Sequence, residues 1–324
     1  MACYLVTGGA GFIGSHLCDA LIKNHEVYVL DDLSSGSREN LPQGVHLIQG
    51  DVCDYGTVEE VMSKVDGCFH LAAIVSIPLC NQNLMKAHQI NLTGTLNVIE
   101  SARTVSRLAT PVPIVFASSC SVYGASQQLP HAESAPTNPI SIYAAMKLCS
   151  EYYGRFANEL HGVPFTALRL FNAYGSRQKL NSIYAGVTTI FLNHLLQNQH
   201  CSIYGDGEES RDFIYVKDIV AFFIRAMETS TSTTRIINAC TGIQTSITTI
   251  AQVLSELVHK PLAFDYFPHK LSDIRHSQGN PKAALELLGI QANTTIEQGL
   301  REFTADVLKS RAVFLTNSGA VSTT

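Results

Sequence analysis

Charge is scarce in this chain. Only 15% of its 324 residues are Asp, Glu, Lys or Arg, and the formal balance is −5. With 22 basic against 27 acidic residues, it lacks the broad positive field that holds nucleic acid or an anionic bilayer. A small anion gripped by a few local cations is not excluded. Paired cysteines are also missing. Nine stand singly, at 3, 18, 53, 68, 80, 120, 149, 201 and 240, with no C-x-x-C. Neither a disulfide framework nor a metal site is indicated, and most of these cysteines read as buried packing in a reducing compartment. No charged and apolar leader precedes the first strand, and the most apolar stretch, residues 219–227, contains Arg225 and is too short to span a bilayer. The expectation is a soluble cytoplasmic protein in which the glycosylation patterns at Asn91 and Asn293 are accidental. What is present is ordinary globular material, 46% hydrophobic with 22 Gly and 11 Pro, enough for one large domain or two.

β-branched runs at residues 4–6, 27–30, 46–48, 68–71, 114–117 and 165–170 alternate with helical patterns at 58–65, 92–103 and 143–160. Between the first two runs, Ile13, Leu17, Ala20 and Leu21 share one helical face. Repeated strand–helix units with apolar strands predict an α/β fold whose parallel sheet is covered on both sides, the doubly wound or Rossmann arrangement. After Asn172 the pattern loosens, and helices at 187–197 and 247–260 are separated by irregular loops. The expected division is a Rossmann domain over 1–172 to which some later segments return, a smaller α/β lobe over 173–312, and a frayed tail over 313–324.

Thr7-Gly8-Gly9-Ala10-Gly11-Phe12-Ile13-Gly14 leaves the first strand and opens the first helix. Glycines at 8, 11 and 14 allow a tight turn, close approach of backbone to a pyrophosphate, and helix–strand packing. The phosphates are then met by N–H groups and the positive helix end, here from Gly11, Phe12, Ile13 and Gly14. Asp31 lies 20 residues beyond Gly11 at the end of the second strand, where a carboxylate takes ribose hydroxyls and repels a 2′-phosphate. NAD is favoured over NADP, with Arg38 the residue that argues the other way. Asp32 either joins this role or caps its turn. Asp51, before Val52, is either a turn residue or a contact at the adenine edge. Leu71, Ala72 and Ala73 leave room beside the fourth strand.

Tyr143 and Lys147 stand four residues apart on one helix face. A phenol is a poor base at neutral pH, and a neighbouring ammonium brings it closer to useful proton transfer. Upstream, Ser119 ends the fifth strand, where its hydroxyl can hold a substrate oxygen beside Tyr143. A surface ion-pairing helix is the bland alternative.

These motifs together resemble the extended short-chain dehydrogenase/reductase superfamily, specifically its NAD-dependent nucleotide-sugar epimerase/dehydratase family. The likeness covers residues 2 to about 305. It implies that Ser119, Tyr143 and Lys147 are catalytic, that Asp51 and Val52 lie near adenine, and that Lys147 also lies near the nicotinamide ribose. Members that eliminate water carry an acidic pair after the catalytic hydroxyl residue, and related decarboxylases carry glutamate where Ser121 stands. Here those positions are Cys120 and Ser121, and Ser119-Cys-Ser-Val-Tyr-Gly124 instead resembles the Ser-Ala-Thr/Ser-Val-Tyr-Gly of 4-epimerases, with Cys120 read as packing rather than as an acid. Asn172 resembles the asparagine near the substrate diphosphate, and Asn181 to Val187, with Tyr184, the segment that wraps the nucleotide sugar. Gly205-Asp-Gly-Glu-Glu-Ser-Arg211-Asp-Phe resembles a motif whose arginine grips the diphosphate, although Arg211 could instead pair with Asp212 or Glu209. Ser272-Asp-Ile-Arg275-His-Ser277 resembles a substrate motif of UDP-sugar 4-epimerases, departing from it at Ser272 and, nearby, at Lys270. Ser277 falls where the family places a size gatekeeper beside the sugar C2 substituent. The resemblance implies a UDP-sugar 4-epimerase and a homodimer built on the helices at 92–103 and 143–160. The alternatives are another sugar-nucleotide enzyme (a different epimerase, a 4-keto reductase or a dehydratase) and a non-catalytic NAD-binding module.

Overall fold

The computed structural model describes residues 1–105, 110–126, 128–178, 186–269 and 274–319. In chain order the strands are β1 (Cys3–Thr7), β2 (Glu26–Asp31), β3 (His46–Gln49), β4 (Gly67–His70), β5 (Ile114–Ser119), β6 (Phe165–Leu170), β7 (Asn172–Tyr174), β8 (Cys201–Tyr204), β9 (Ser210–Arg211), β10 (Phe213–Tyr215), β11 (Arg235–Ala239), β12 (Thr245–Ser246) and β13 (Phe264–Phe267). The helices are α1 (Phe12–Leu21), α2 (Tyr55–Met62), α3 (Ile77–Gln82), α4 (Leu84–His88), α5 (Gly94–Thr104), α6 (Ile142–His161), α7 (Val187–Leu196), α8 (Val216–Glu228), α9 (Ile247–Val258), α10 (Lys282–Leu288) and α11 (Ile296–Gly319).

The six expected strands are all present, and they form one parallel seven-stranded sheet with β11, in the order β11-β6-β5-β4-β1-β2-β3. From β1 the chain winds out through β2 to β3, then crosses back and winds the other way from β4. That reversal opens a crevice above the carboxyl ends of β1 and β4, where such sheets take ligands. Alternating side chains build a core on each face. Val6, Val29, Phe69 and Val115 meet α1 and α8 through Leu17, Ile219 and Phe222. Leu5, Leu30, Cys68 and Ile114 meet α2 and α5 through Val58, Val61 and Val98. β4 is buried along its whole length, which is why its sequence reads as a run rather than an alternation.

A third core, with Phe191, Leu195, Phe213, Leu254 and Phe303, lies beyond the sheet, among α7, α9, α11 and the three two-stranded pairs β10-β7, β12-β9 and β13-β8. Phe12 and Ile13 pack against it, so the first turn of α1 lies between the cores. Segments beyond Asn172 return to the main sheet: β11 extends it, and Ala284 and Leu288 of α10 join the core that α8 helps to build.

Capping sets the helix ends. α2 starts earlier than its apolar period suggests because Asp54 accepts the N–H groups of Gly56 and Thr57 at 3.1 and 3.5 Å. α6 opens on Ser141, whose Oγ accepts the Ala144 N–H at 3.1 Å, and closes on Gly162, left-handed at φ +72°. α11 runs on to Gly319, into the stretch expected to fray. Every cysteine is a free thiol; Cys149 is exposed, not buried packing. Among the described residues no helix is long and apolar enough to cross a membrane, and no cluster of side chains could hold a metal ion.

Candidate active site

The glycine turn sits directly on the crevice. Gly8 adopts φ +69°, and a Cβ there would lie 2.8 Å from the Ala72 nitrogen beyond β4. At Gly14 a Cβ would lie 2.2 Å from the Gly8 carbonyl oxygen. The turn is therefore wound so tightly against α1 and the β4 loop that side chains are shut out at both positions. Gly11 caps α1 with no side chain on the first N–H groups. Asp31 ends β2 with its carboxylate accepting the Ala10 N–H at 2.9 Å and the Leu33 N–H at 2.8 Å. Burial raises its pKa, and the two N–H groups work against that rise. This glycine cradle and the buried carboxylate fit a dinucleotide: the turn and α1 N–H groups would hold the pyrophosphate, and Asp31 the ribose.

Asp32 caps its own turn, accepting from Ser34 N at 2.9 Å. Asp51 likewise accepts from Cys53 N at 2.9 Å, while Val52 is buried beneath Gly94. Arg38 reaches Gln49 at 3.4 Å. Leu71 and Ala72 both donate their N–H groups to Thr7 Oγ1 at 3.2 Å, which fixes the β4 exit. Because Thr7 Oγ1 accepts there, its proton goes to His70 Nδ1, 2.7 Å away. The other ring nitrogen then donates to Thr95 Oγ1 at 2.9 Å, and Thr95 to the Asn91 carbonyl at 2.8 Å. This chain needs a neutral imidazole. Burial, with Lys147 adding to it, pushes the His70 pKa down to about 3. Below pH 6.5 the unfolded chain takes up a proton that the folded chain refuses, so stability is complete above 6.5 and lost as pH falls towards 3. Urea midpoints from pH 7 to 4.5 should show wild type losing up to about 1.4 kcal/mol per pH unit that His70→Asn does not lose.

Ser119, Tyr143 and Lys147 converge at the carboxyl end of β5. Ser119 Oγ accepts from the Ser121 N–H at 3.2 Å and the Ser121 hydroxyl at 2.9 Å, which leaves its own proton for the Tyr143 oxygen, its hydrogen-bond partner. Lys147 is buried, donates to the Ala117 carbonyl at 2.7 Å, and sits 5.8 Å from the Tyr143 ring centroid. Burial raises the Tyr143 pKa, with Ser119 opposing, and pushes Lys147 down to about 7. Both groups lose water, and desolvation favours both neutral forms. Behind the pair, Glu151 continues the same helix stripe one turn further on. The spacing 143, 147, 151 carries that signal in the sequence, one turn beyond the Tyr–Lys motif.

On the opposite wall, Arg211 Nη1 donates to the carbonyls of Ser210 and Arg275 at 2.9 and 3.1 Å. Arg275 turns its own guanidinium to Asp206, 2.7 Å away and exposed. Asp212 is fully buried and accepts from Thr241, Gly242 and Gly279. Those contacts hold the chain that carries Ser277, which is buried with its side chain against Cys120. Burial pushes the Cys120 thiol up to about 12, with Asp212 adding to the rise, so it stays neutral as packing requires. Asn172 donates its backbone N–H to the Asp212 carbonyl at 2.9 Å, and Val187 opens α7. Tyr184, Lys270 and Ser272 lie outside the described residues.

Residues 4–240 match the profile of the NAD dependent epimerase/dehydratase family. The chain belongs to that family. Its cofactor is NAD, which the glycine cradle and the buried Asp31 carboxylate fit. A UDP-glucose 4-epimerase of Mycolicibacterium smegmatis is 35% identical over 306 residues, 91% of this chain and 95% of that one. A UDP-N-acetyl-alpha-D-glucosaminuronate decarboxylase of Bacillus cytotoxicus is 33% identical, over 92% of this chain and 95% of that one. Among solved structures, the UDP-glucose 4-epimerase of Thermotoga maritima with UDP-glucose superposes at a TM-score of 0.90 and 32% identity, covering 95% of this chain and 99% of that one.

Proposed function

We propose that this family member is a 4-epimerase of nucleoside-diphosphate sugars, acting on a UDP-hexose or a UDP-N-acetylhexosamine. The observation that carries the reading is the hydroxyl environment of Ser119. The side chain bonded to it belongs to Ser121, the position at which related decarboxylases bear glutamate. Inversion at C4 needs one proton removed from and returned to one oxygen, and Tyr143 with Ser119 provides for that. Bound NAD supplies the redox partner for C4 and a positive ring charge that favours the phenolate. Tyr143 then takes the C4 hydroxyl proton, Ser119 holds the same oxygen, and Lys147 stabilises the charge. The 4-keto sugar turns about its diphosphate, which Arg211 holds with Asn172 and, once released from Asp206, Arg275. Return of the hydride to the opposite face of C4 and of the proton from Tyr143 to its oxygen restores the alcohol, so no net oxidation occurs.

The test is incubation with a panel of UDP-, dTDP-, GDP- and CDP-sugars, with products read by NMR. Inversion at C4 without added reductant is expected. Loss of carbon dioxide, loss of water, or dependence on external reduced cofactor would assign one of the other family reactions, and no turnover at all would assign a binding role.

Ser277 is small and buried beside Cys120, which supports room for an N-acetyl group at C2. Ser277→Tyr should abolish turnover of UDP-N-acetylglucosamine while sparing UDP-glucose. Equal loss of both would defeat this reading. A cytoplasmic homodimer completes the proposal. Nine free thiols suit a reducing compartment. Tyr152, Tyr153, Phe156 and Leu160 are exposed on α6, which suits pairing through that helix.

A further inference from the structure

Glu151 lies four residues beyond Lys147 on α6 and is buried. One oxygen accepts from Ser118 Oγ at 2.5 Å and from Arg169 Nε at 3.0 Å. The other accepts from Arg169 Nη2 at 2.7 Å. Arg169, on β6, is itself fixed by the Glu133 carbonyl at 3.2 Å and by the Tyr123 ring, 4.8 Å below its guanidinium. Ser118 stands between Ala117, whose carbonyl takes the Lys147 ammonium, and Ser119. One carboxylate thus ties α6, β5 and β6 together directly behind the site.

A buried ion pair is a poor device for stability, because apolar residues of similar volume often do as well or better. Its cost here has a return in the charge it presents to Lys147. The titratable groups facing that ammonium are Tyr143 and Glu151 from α6, Cys80 from α3 and His70 from β4, with Arg169 behind on β6. Burial holds the Tyr143 phenol, the Cys80 thiol and the His70 imidazole neutral. Glu151 is the anion left among them.

We infer that Glu151, pinned between Arg169 and Ser118, is a positioning residue for the Tyr143–Lys147 pair: it keeps the end of β5 in register with α6 and sets a fixed negative charge one turn from the Lys147 ammonium. The inference rests on the reading of that pair as the proton-handling group of the enzyme. Without Glu151, the desolvated ammonium keeps only the Cys80 side chain to oppose burial and gives up its proton at lower pH. The Tyr143 phenolate then loses the cation that supports it.

The test is NMR titration of the full-length protein with labelled lysine side chains, the Lys147 signal being assigned by its loss in Lys147→Met. In wild type this signal should titrate near neutrality, apart from the exposed lysines. Glu151→Gln should lower its midpoint by about one pH unit or more, and Glu151→Asp, which keeps the charge, by much less. Turnover of Glu151→Gln should fall about tenfold with KM within about twofold, the deficit widening as pH rises towards 7 and then levelling. Should Glu151→Gln leave Arg169 too costly to bury, the paired variant Glu151→Gln with Arg169→Met removes both charges. Its midpoint should still lie below wild type, because Glu151 is the carboxylate that acts on Lys147. An unmoved midpoint in either folded variant would overturn the inference. A shifted midpoint in a protein that inverts no nucleotide sugar would defeat the proposed reaction and leave the electrostatic role standing.

Discussion

Tyr143→Phe should lower kcat by roughly a thousandfold to ten-thousandfold, about 4 to 5.5 kcal/mol in barrier height, with KM changed little. The ring stays where it is, packed beside Ile142 and Met146 against α3 and α4, so the fold has no reason to change. What disappears is the oxygen bonded to Ser119. No other group stands ready to replace it: burial has pushed the neighbouring Cys120 thiol up to about 12, too weakly acidic to take over at neutral pH. Lys147→Met should be nearly as damaging, and the double variant little worse than either, because the two groups act as one unit. The check is turnover of the best substrate from the panel together with a thermal melt of each variant. A Tyr143→Phe enzyme within tenfold of wild type would place the base elsewhere.

Gly14→Ala should strip the protein of NAD. The added methyl would lie 2.2 Å from the Gly8 carbonyl oxygen and 2.8 Å from the Gly9 Cα, both backbone atoms with no rotamer to retreat into. Relief requires α1 to draw away from the turn, which opens the N–H cradle that meets the pyrophosphate. Gly11→Ala makes the contrast: its methyl would come within 3.2 Å of that same carbonyl oxygen, a tight contact that a small adjustment relieves. We expect cofactor affinity to fall by roughly a hundredfold or more in Gly14→Ala, about 2.7 kcal/mol, and far less in Gly11→Ala. The readout is the fraction of purified protein that carries NAD, followed by calorimetric titration of the cofactor-free form.

The parallel sheet was legible because its strands are β-branched runs separated by helical periods, and each of the six expected strands formed. Its seventh strand, β11, was not. Arg235 to Ala239 has an ordinary apolar character, and only tertiary packing shows that it returns to pair with β6. The short strands β9 and β12, two residues each, have no period to read, and their pairing follows from the loops around them. The glycine turn, Asp31 and the Tyr143–Lys147 pair were readable because each requires specific residue types at fixed spacing. Burial was not readable in the same way. The sequence places a lysine beside a tyrosine, but that both lose their water, and that Glu151 then provides the opposing charge, depends on β5 and β6 lying across the helix. Likewise Asp51 and Asp32 satisfy their own turns, a local role that a motif cannot distinguish from ligand contact.

The most direct test of C4 inversion by this protein is proton NMR of UDP-galactose incubated with the purified protein in deuterium oxide, without added cofactor. A C4 epimerase converts it to UDP-glucose with protium retained at C4 and no deuterium at C3 or C5. Exchange at C3 or C5, or an unchanged UDP-galactose spectrum alongside decarboxylation of a UDP-uronic acid, would contradict C4 inversion.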